Sequence, residues 1–188
     1  MQRLTTLLAL ARARPGRINY SSAGHGSTGH LTGELLKARA GIDIVHVNYK
    51  GGGQAVQDLL GGQIQMLMTG LATVEGHLKG GKLRALAFTS SKRVPGAPDV
   101  PTLTESGYPG LEVLSWYGVL APAGTPQDIV RKLNADINRI LQAPDVRERL
   151  TALGTEPTGG TPEQFAETIK ADTARWAKVV QDAGIRID

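Results

Sequence analysis

Leu4, Leu7, Leu8 and Ala11 stand at i, i+3, i+4 and i+7, the spacing that gathers side chains on one face of a helix. Arg3, the apolar run Leu4–Ala11 and Ala11-Arg12-Ala13 also give this segment a likeness to a secretory leader. The run is short and carries two Thr, so it is not a convincing signal peptide; the amphipathic helix is the preferred reading, stopped by Pro15-Gly16. From there the pattern alternates. Strands are expected at Ile18–Ser21, Ile44–Val47, Ile64–Met68 and Arg84–Thr89. Helices are expected between them at Ser27–Ala40, Gln54–Leu60 and Ala72–Lys79, ended by Gly41, Gly61-Gly62 and Gly80-Gly81. Leu31, Leu35 and Leu36 give the first of these helices its apolar face. Strand–helix alternation through short loops predicts βαβ units, a parallel sheet and hence an α/β fold, with the loops that follow the strands collected along one edge.

The chain changes character after residue 92. Pro95, Pro98, Pro101 and Pro109 predict an ordered loop with a short helix near Leu103–Ser106, and Leu111–Leu120 a long strand. Thr125 is the expected N-cap of a helix with Pro126 at its first position and a buried stripe of Ile129, Leu133, Ile137 and Leu141. A second helix is expected from after Ala143 to Gly154. A last one opens at Thr161-Pro162-Glu163 and buries Phe165, Ile169, Trp176 and Val180. The switch to helices places a domain boundary near 112–118.

Composition narrows the options. Forty per cent of the 188 residues are hydrophobic, enough for a core, and no apolar run reaches the roughly 18 residues of a membrane span. With no Cys there are no disulfides, thiolate metal sites or thiol nucleophiles. The net charge of +4 is uneven: residues 1–93 hold twelve Lys and Arg against four acids, residues 94–188 nine against thirteen. A basic half containing a Ser/Gly turn suggests an anionic partner. Nucleic acid is not expected, because no cluster of Lys and Arg is interleaved with aromatics.

Gly24-His-Gly-Ser-Thr-Gly29 follows a strand and opens a helix, so it matches G-x-G-x-x-G. Dinucleotide binding needs an acid near the end of the second strand; Asn48, Tyr49 and Lys50 stand there, and only Lys50 would suit a 2′-phosphate. An NADP-dependent oxidoreductase domain is therefore the alternative. The broader physics is that helix-start amides attract an anion, Gly24 and Gly26 allow close approach, and Ser21, Ser22, Ser27 and Thr28 offer hydroxyls. A carboxylate fits this set as well as a phosphate does, and plain capping by Ser27 without a ligand also accounts for it. Tyr49–Gly53 and Thr69-Gly70 close the next two strands and would complete a ligand rim. Catalysis finds no players. Ser27 is not in G-x-S-x-G, and His25 and His30 are five apart, which does not face one metal from one helix. His46 and His77 read as structural, and neither a metal nor a cofactor is expected.

ARARPGRINYSSAGHGSTGHLTGELL, IVHVNYKGGGQAVQDLLGGQIQML, GKLRALAFTSSKRVPGAPDVPTLTESGYPG, SWYGVLAPAGTP and the closing W-x-K-V-V-x-x-A-G-I, in that order over nearly the whole chain, resemble the Bug-type extracytoplasmic solute receptors. These are the substrate-binding proteins of tripartite tricarboxylate transporters. The resemblance implies a periplasmic binding protein-like fold (type II) of two hinged α/β lobes, a non-catalytic role and a periplasmic location. Its partners would be a small di- or tricarboxylate or related acid and the membrane transporter subunits. Residues 1–16 would be an inter-lobe helix, 17–112 the second lobe, and 113–188 a crossing strand and the mostly helical C-terminal part of an incomplete first lobe. The family's N-terminal Pro-Gly-Gly ligand loop and export signal have no counterpart here, so a truncated copy is expected, with self-association through the uncovered first-lobe surface, or a fragment that binds nothing. The implied ligand residues are Ser22, Ala23, Gly24, Gly26, Ser27 and Thr28, with Thr69 and Gly70 from the third loop, where family members often carry an Asp-Asn pair.

Overall fold

The computed structural model of the chain describes residues 2–152, 155–182 and 184–185. The first helix, α1 (Gln2–Ala13), forms as its spacing requires, burying Leu4, Leu8 and Ala11 with Leu7 packed against the same core. Three βα units follow: β1 (Asn19–Ser21) with α2 (Thr28–Ala40), β2 (Val45–Val47) with α3 (Gly52–Leu60), and β3 (Met66–Leu67) with α4 (Leu71–Lys79). The strands form one parallel sheet in the order β2-β1-β3, in register Tyr20↔His46 and Tyr20↔Met66. Central β1 is fully covered at Tyr20 and Ser21, whereas Val45 on edge strand β2 is 43% exposed.

Local signals set the ends of α2. Ser27 Oγ accepts the His30 N–H at 3.3 Å, and Gly41 closes the helix in the left-handed conformation, φ 60°, its N–H reaching Lys37 O. The core beneath the sheet holds Ile18, Tyr20, Leu36, Ile42, Ile44, Met66, Leu103 and Leu111. Arg12 ties α1 to the C-terminus of α2 through two bonds to Ala40 O, 2.8 and 3.2 Å, where a cation suits the helix dipole.

Several expected elements take another form. Arg84–Thr89 is not a ladder strand: Phe88 makes one parallel bridge to Thr102, donating to Pro101 O and accepting from Leu103 N. Leu111–Leu120 is not a ladder strand either, although Val113 and Thr89 exchange bonds of 2.9 and 2.8 Å. Pro101, on the segment facing Phe88, has no N–H with which to extend the first bridge, and among the described residues the second segment finds no neighbour to continue a ladder. Leu103–Ser106 is a turn held by the Ser106 N–H on Thr102 O.

The chain divides into two compact units, Met1–Ser115 with Lys178–Asp188, and Trp116–Ala177. The second unit holds α5 (Gln127–Leu141), α6 (Pro144–Ala152) and most of α7 (Pro162–Asp182). Helix α5 starts one residue later than expected. Pro126 occupies the cap, and the Thr125 hydroxyl donates to Pro122 O at 2.8 Å instead of capping. Gly154, the expected end of α6, lies outside the described residues. Helix α7 opens with a reciprocal box: Gln164 N–H to Thr161 Oγ1, 3.2 Å, and Thr161 N–H to Gln164 Oε1, 2.8 Å. Trp116 packs edge-on against Phe165, ring centroids 5.1 Å apart, and donates its indole N–H to Asp172 at 2.6 Å. The expected buried stripes are not buried. Ile129 and Leu133 are 46% and 49% exposed, and no described residue of α5, α6 or α7 is classed as buried.

Candidate functional site

Because all three strands run the same way, their carboxyl ends and the three turns that follow lie on one edge of the sheet. The turns are neighbours. A Cβ on Gly24 would lie 3.6 Å from Tyr49 O, one on Gly52 3.9 Å from Thr69 Oγ1, and one on Gly29 only 2.6 Å from Met68 O. Ser22–Thr28, Tyr49–Gly53 and Thr69-Gly70 thus form one rim, and α2, α3 and α4 each begin on it. None of these helices carries an acid in its first turn, and α3 and α4 have glycine at the cap with no side-chain cap bond. Elsewhere α5, α6 and α7 each carry one, Asp128, Asp145 and Glu163. The rim therefore gathers three positive helix ends, none with an acid in its first turn, and exposed Lys50 stands beside α3.

The turn itself is built on Ser22, which is fully buried. Its Oγ donates to Gly24 O at 3.0 Å, accepts the Ser27 hydroxyl at 3.0 Å, and lies 3.0 Å from His46 Nε2. Gly24 and Gly26 have φ of 149° and 72°, a region that side chains rarely adopt. The Gly26 N–H donates to His30 Nδ1, 3.1 Å, and the Ser27 N–H to Gly24 O, 3.2 Å. Ser22 and Ser27 were expected to offer hydroxyls to a ligand; instead they hold the turn's shape. Ser21, also buried, donates to Ser22 O. Among the described residues the Thr28 and Gly29 amides, the first two of α2, have no acceptor. Gly29 packs α2 tightly on β3 and Ser22, which explains the third glycine of the motif without any nucleotide.

Three imidazoles that helical spacing does not bring together meet behind the turn. His25 lies in the turn and not on α2, so helical spacing does not govern it. The strand register sets His46 beside Tyr20, and His30 faces both. The His30 and His46 rings stack at 4.0 Å, with His25 4.5 Å from His30 and 6.1 Å from His46. Burial, then the neighbouring imidazoles, pushes His46 down to about 4. Burial and then His25 lower His30 as well. Burial, with Glu34 at 2.8 Å from its hydroxyl, raises Tyr20. The Tyr20↔His46 pairing was the signal available in the sequence, through the register of its first two strands.

Residues 1–185 match the family model described as tripartite tricarboxylate transporter family receptor. Protein BugT of Bordetella pertussis is 40% identical over 184 residues, 98% of this chain and 56% of that protein. Rpa4515 of R. palustris, solved with adipate, superposes with a TM-score of 0.89 at 37% identity, covering 98% of this chain and 62% of the other. MatC (Rpa3494) from Rhodopseudomonas palustris, with bound malate, does so with a TM-score of 0.77 at 34% identity, over 94% and 61%. The chain spans about half the length of most of the curated relatives it matches. The fold is that of these periplasmic binding proteins, and the family is one of transporter receptors and not of enzymes, so the oxidoreductase reading of G-x-G-x-x-G is set aside. The chain belongs to the tripartite tricarboxylate transporter receptor family, of the Bug type.

Proposed function

We propose that this chain captures a small di- or tricarboxylate in the periplasm for a tripartite tricarboxylate transporter, holding one carboxylate at the rim of Ser22–Thr28, Tyr49–Gly53 and Thr69-Gly70. The observation that carries this reading is the convergence of three helix N-termini without a first-turn acid, on the three strand ends of the sheet. In this reading the Thr28 and Gly29 amides meet one carboxylate oxygen, and Lys50 and the amides beyond Gly51 meet the other. Ala23, Gly24 and Gly26 are the wall a ligand lies against, and Ser22 and Ser27 fix that wall from behind. Adipate and malate, bound by two solved relatives, support a dicarboxylate of four to six carbons. The exposed apolar residues of the second unit, Tyr117, Val119 and Leu120 at 74–89% exposure, support self-association of the 188-residue chain through that unit.

A thermal-shift panel with malate, adipate, citrate and NADP tests the ligand class. We expect stabilisation by one or more of the acids and none by NADP, following mass action. Gly24→Val, strained at φ 149°, should remove the acid-induced shift. A shift that survives it places the carboxylate elsewhere, and no shift with any acid removes the proposal.

A further inference from the structure

Among the described residues, one group of side chains has the composition of a metal site: His25, His30 and His46, whose candidate ligand nitrogens all lie within 4.8 Å of one another. We propose that these three imidazoles bind a divalent transition ion, Zn2+, Ni2+ or Cu2+, behind the carboxylate turn. Three nitrogen donors suit these borderline ions and not Mg2+ or Ca2+, which seek oxygen. Bonds of about 2.0–2.1 Å in a tetrahedron put ligand nitrogens roughly 3.4 Å apart and ring centroids about 5 Å apart. The observed centroid separations of 4.0, 4.5 and 6.1 Å bracket that spacing, so opening the His30–His46 stack and rotating the rings bring the donors into range. His25 is exposed and lies on the turn, which lets it supply most of the adjustment. The site opens on a cavity of about 460 Å3 lined also by Glu34, Lys37 and Asp43, which admits the ion and offers carboxylate to balance its charge.

Two rings are already oriented by partners outside the site, as metal-binding histidines usually are. His46 Nε2 lies 3.0 Å from Ser22 Oγ, whose own proton goes to Gly24 O; in the tautomer with the proton on Nε2, Nδ1 offers the lone pair. His30 Nδ1 accepts the Gly26 N–H. A neutral imidazole has one proton and one lone pair. If the ion binds Nδ1, the Gly26 amide is displaced; if it binds Nε2, the proton moves to Nδ1, and the amide again loses its acceptor. Occupancy of the site therefore releases the Gly26 N–H, and it couples the metal to the turn.

The test is titration of the full, tag-free chain with Zn2+ and Ni2+ alone, by calorimetry and by amide NMR. We expect one ion per chain, a displaced Gly26 amide resonance, and at least about tenfold weaker binding in both His25→Gln and His46→Gln. His77→Gln should bind as the parent does. His25 is exposed, so its variant tests the site even where His46→Gln does not fold. Absence of saturable binding, or binding unchanged in His25→Gln, overturns the proposal; so does saturable binding that leaves the Gly26 resonance in place.

Discussion

Gly33 shows how much one missing methyl group settles. A Cβ there would stand 2.1 Å from the Tyr20 ring, so α2 lies this close to β1 only because residue 33 has no side chain. Gly33→Ala is expected to destabilise the chain by about 1–3 kcal/mol, as overpacking a core does, read as a lower urea midpoint with unchanged slope. Tyr20→Leu in the same chain should restore part of the loss by removing the ring atoms that clash. Ser27 acts differently, through a cap and through its hydroxyl bond to Ser22. Ser27→Ala should lose about 1 kcal/mol. It should also weaken any carboxylate-induced shift, because Ser22 then loses one of the groups that position it. These serines read from the sequence as ligand hydroxyls because residue type reports what a side chain offers and not where it turns.

At the scale of elements, what was legible was local. The cap of α2 at Ser27, its glycine end at Gly41, the face of α1 and the start of α7 at Thr161-Pro162-Glu163 depend on residues within one or two turns, and local sequence displays them. Arg84–Thr89 and Leu111–Leu120 were misread because a strand is defined by its partner, and β-forming residues do not name one. The three histidines were missed for the same reason, since their meeting depends on the β1–β2 register. Beside the Phe88 bridge, Thr102 is also held by Glu105, which accepts the Thr102 N–H at 2.8 Å and Arg93 Nε at 2.9 Å. The Thr102 amide and then Arg93 lower the Glu105 carboxyl below its ordinary value of 4.5. A lowered carboxylate contributes stability that is complete above the unfolded value and lost as pH falls through the folded one. An NMR titration should place the Glu105 midpoint below 4.5, with the Thr102 amide shift following it; Glu105→Gln should remove that pH dependence. A midpoint at the ordinary value would show that the clamp does not hold in solution.

For the whole molecule, the contrast lies between a first unit with a fully buried centre and a second whose helices bury no described residue completely. Light scattering of the 188-residue chain is expected to give a mass above 19.9 kDa that falls with dilution, and Leu120→Glu with Tyr117→Ser should return it to the monomer. A monomeric parent with strong hydrogen-exchange protection through α5 and α7 would count against self-association. The Trp116 contact has a spectroscopic consequence as well. Both tryptophans of the chain, Trp116 and Trp176, belong to the second unit, and the first has none. Intrinsic indole emission therefore watches one half of the molecule while the parallel sheet stays dark, and far-ultraviolet circular dichroism sees both. Overlaid denaturation curves from the two signals would mark a single cooperative transition, whereas an earlier fluorescence change would show the two units melting separately.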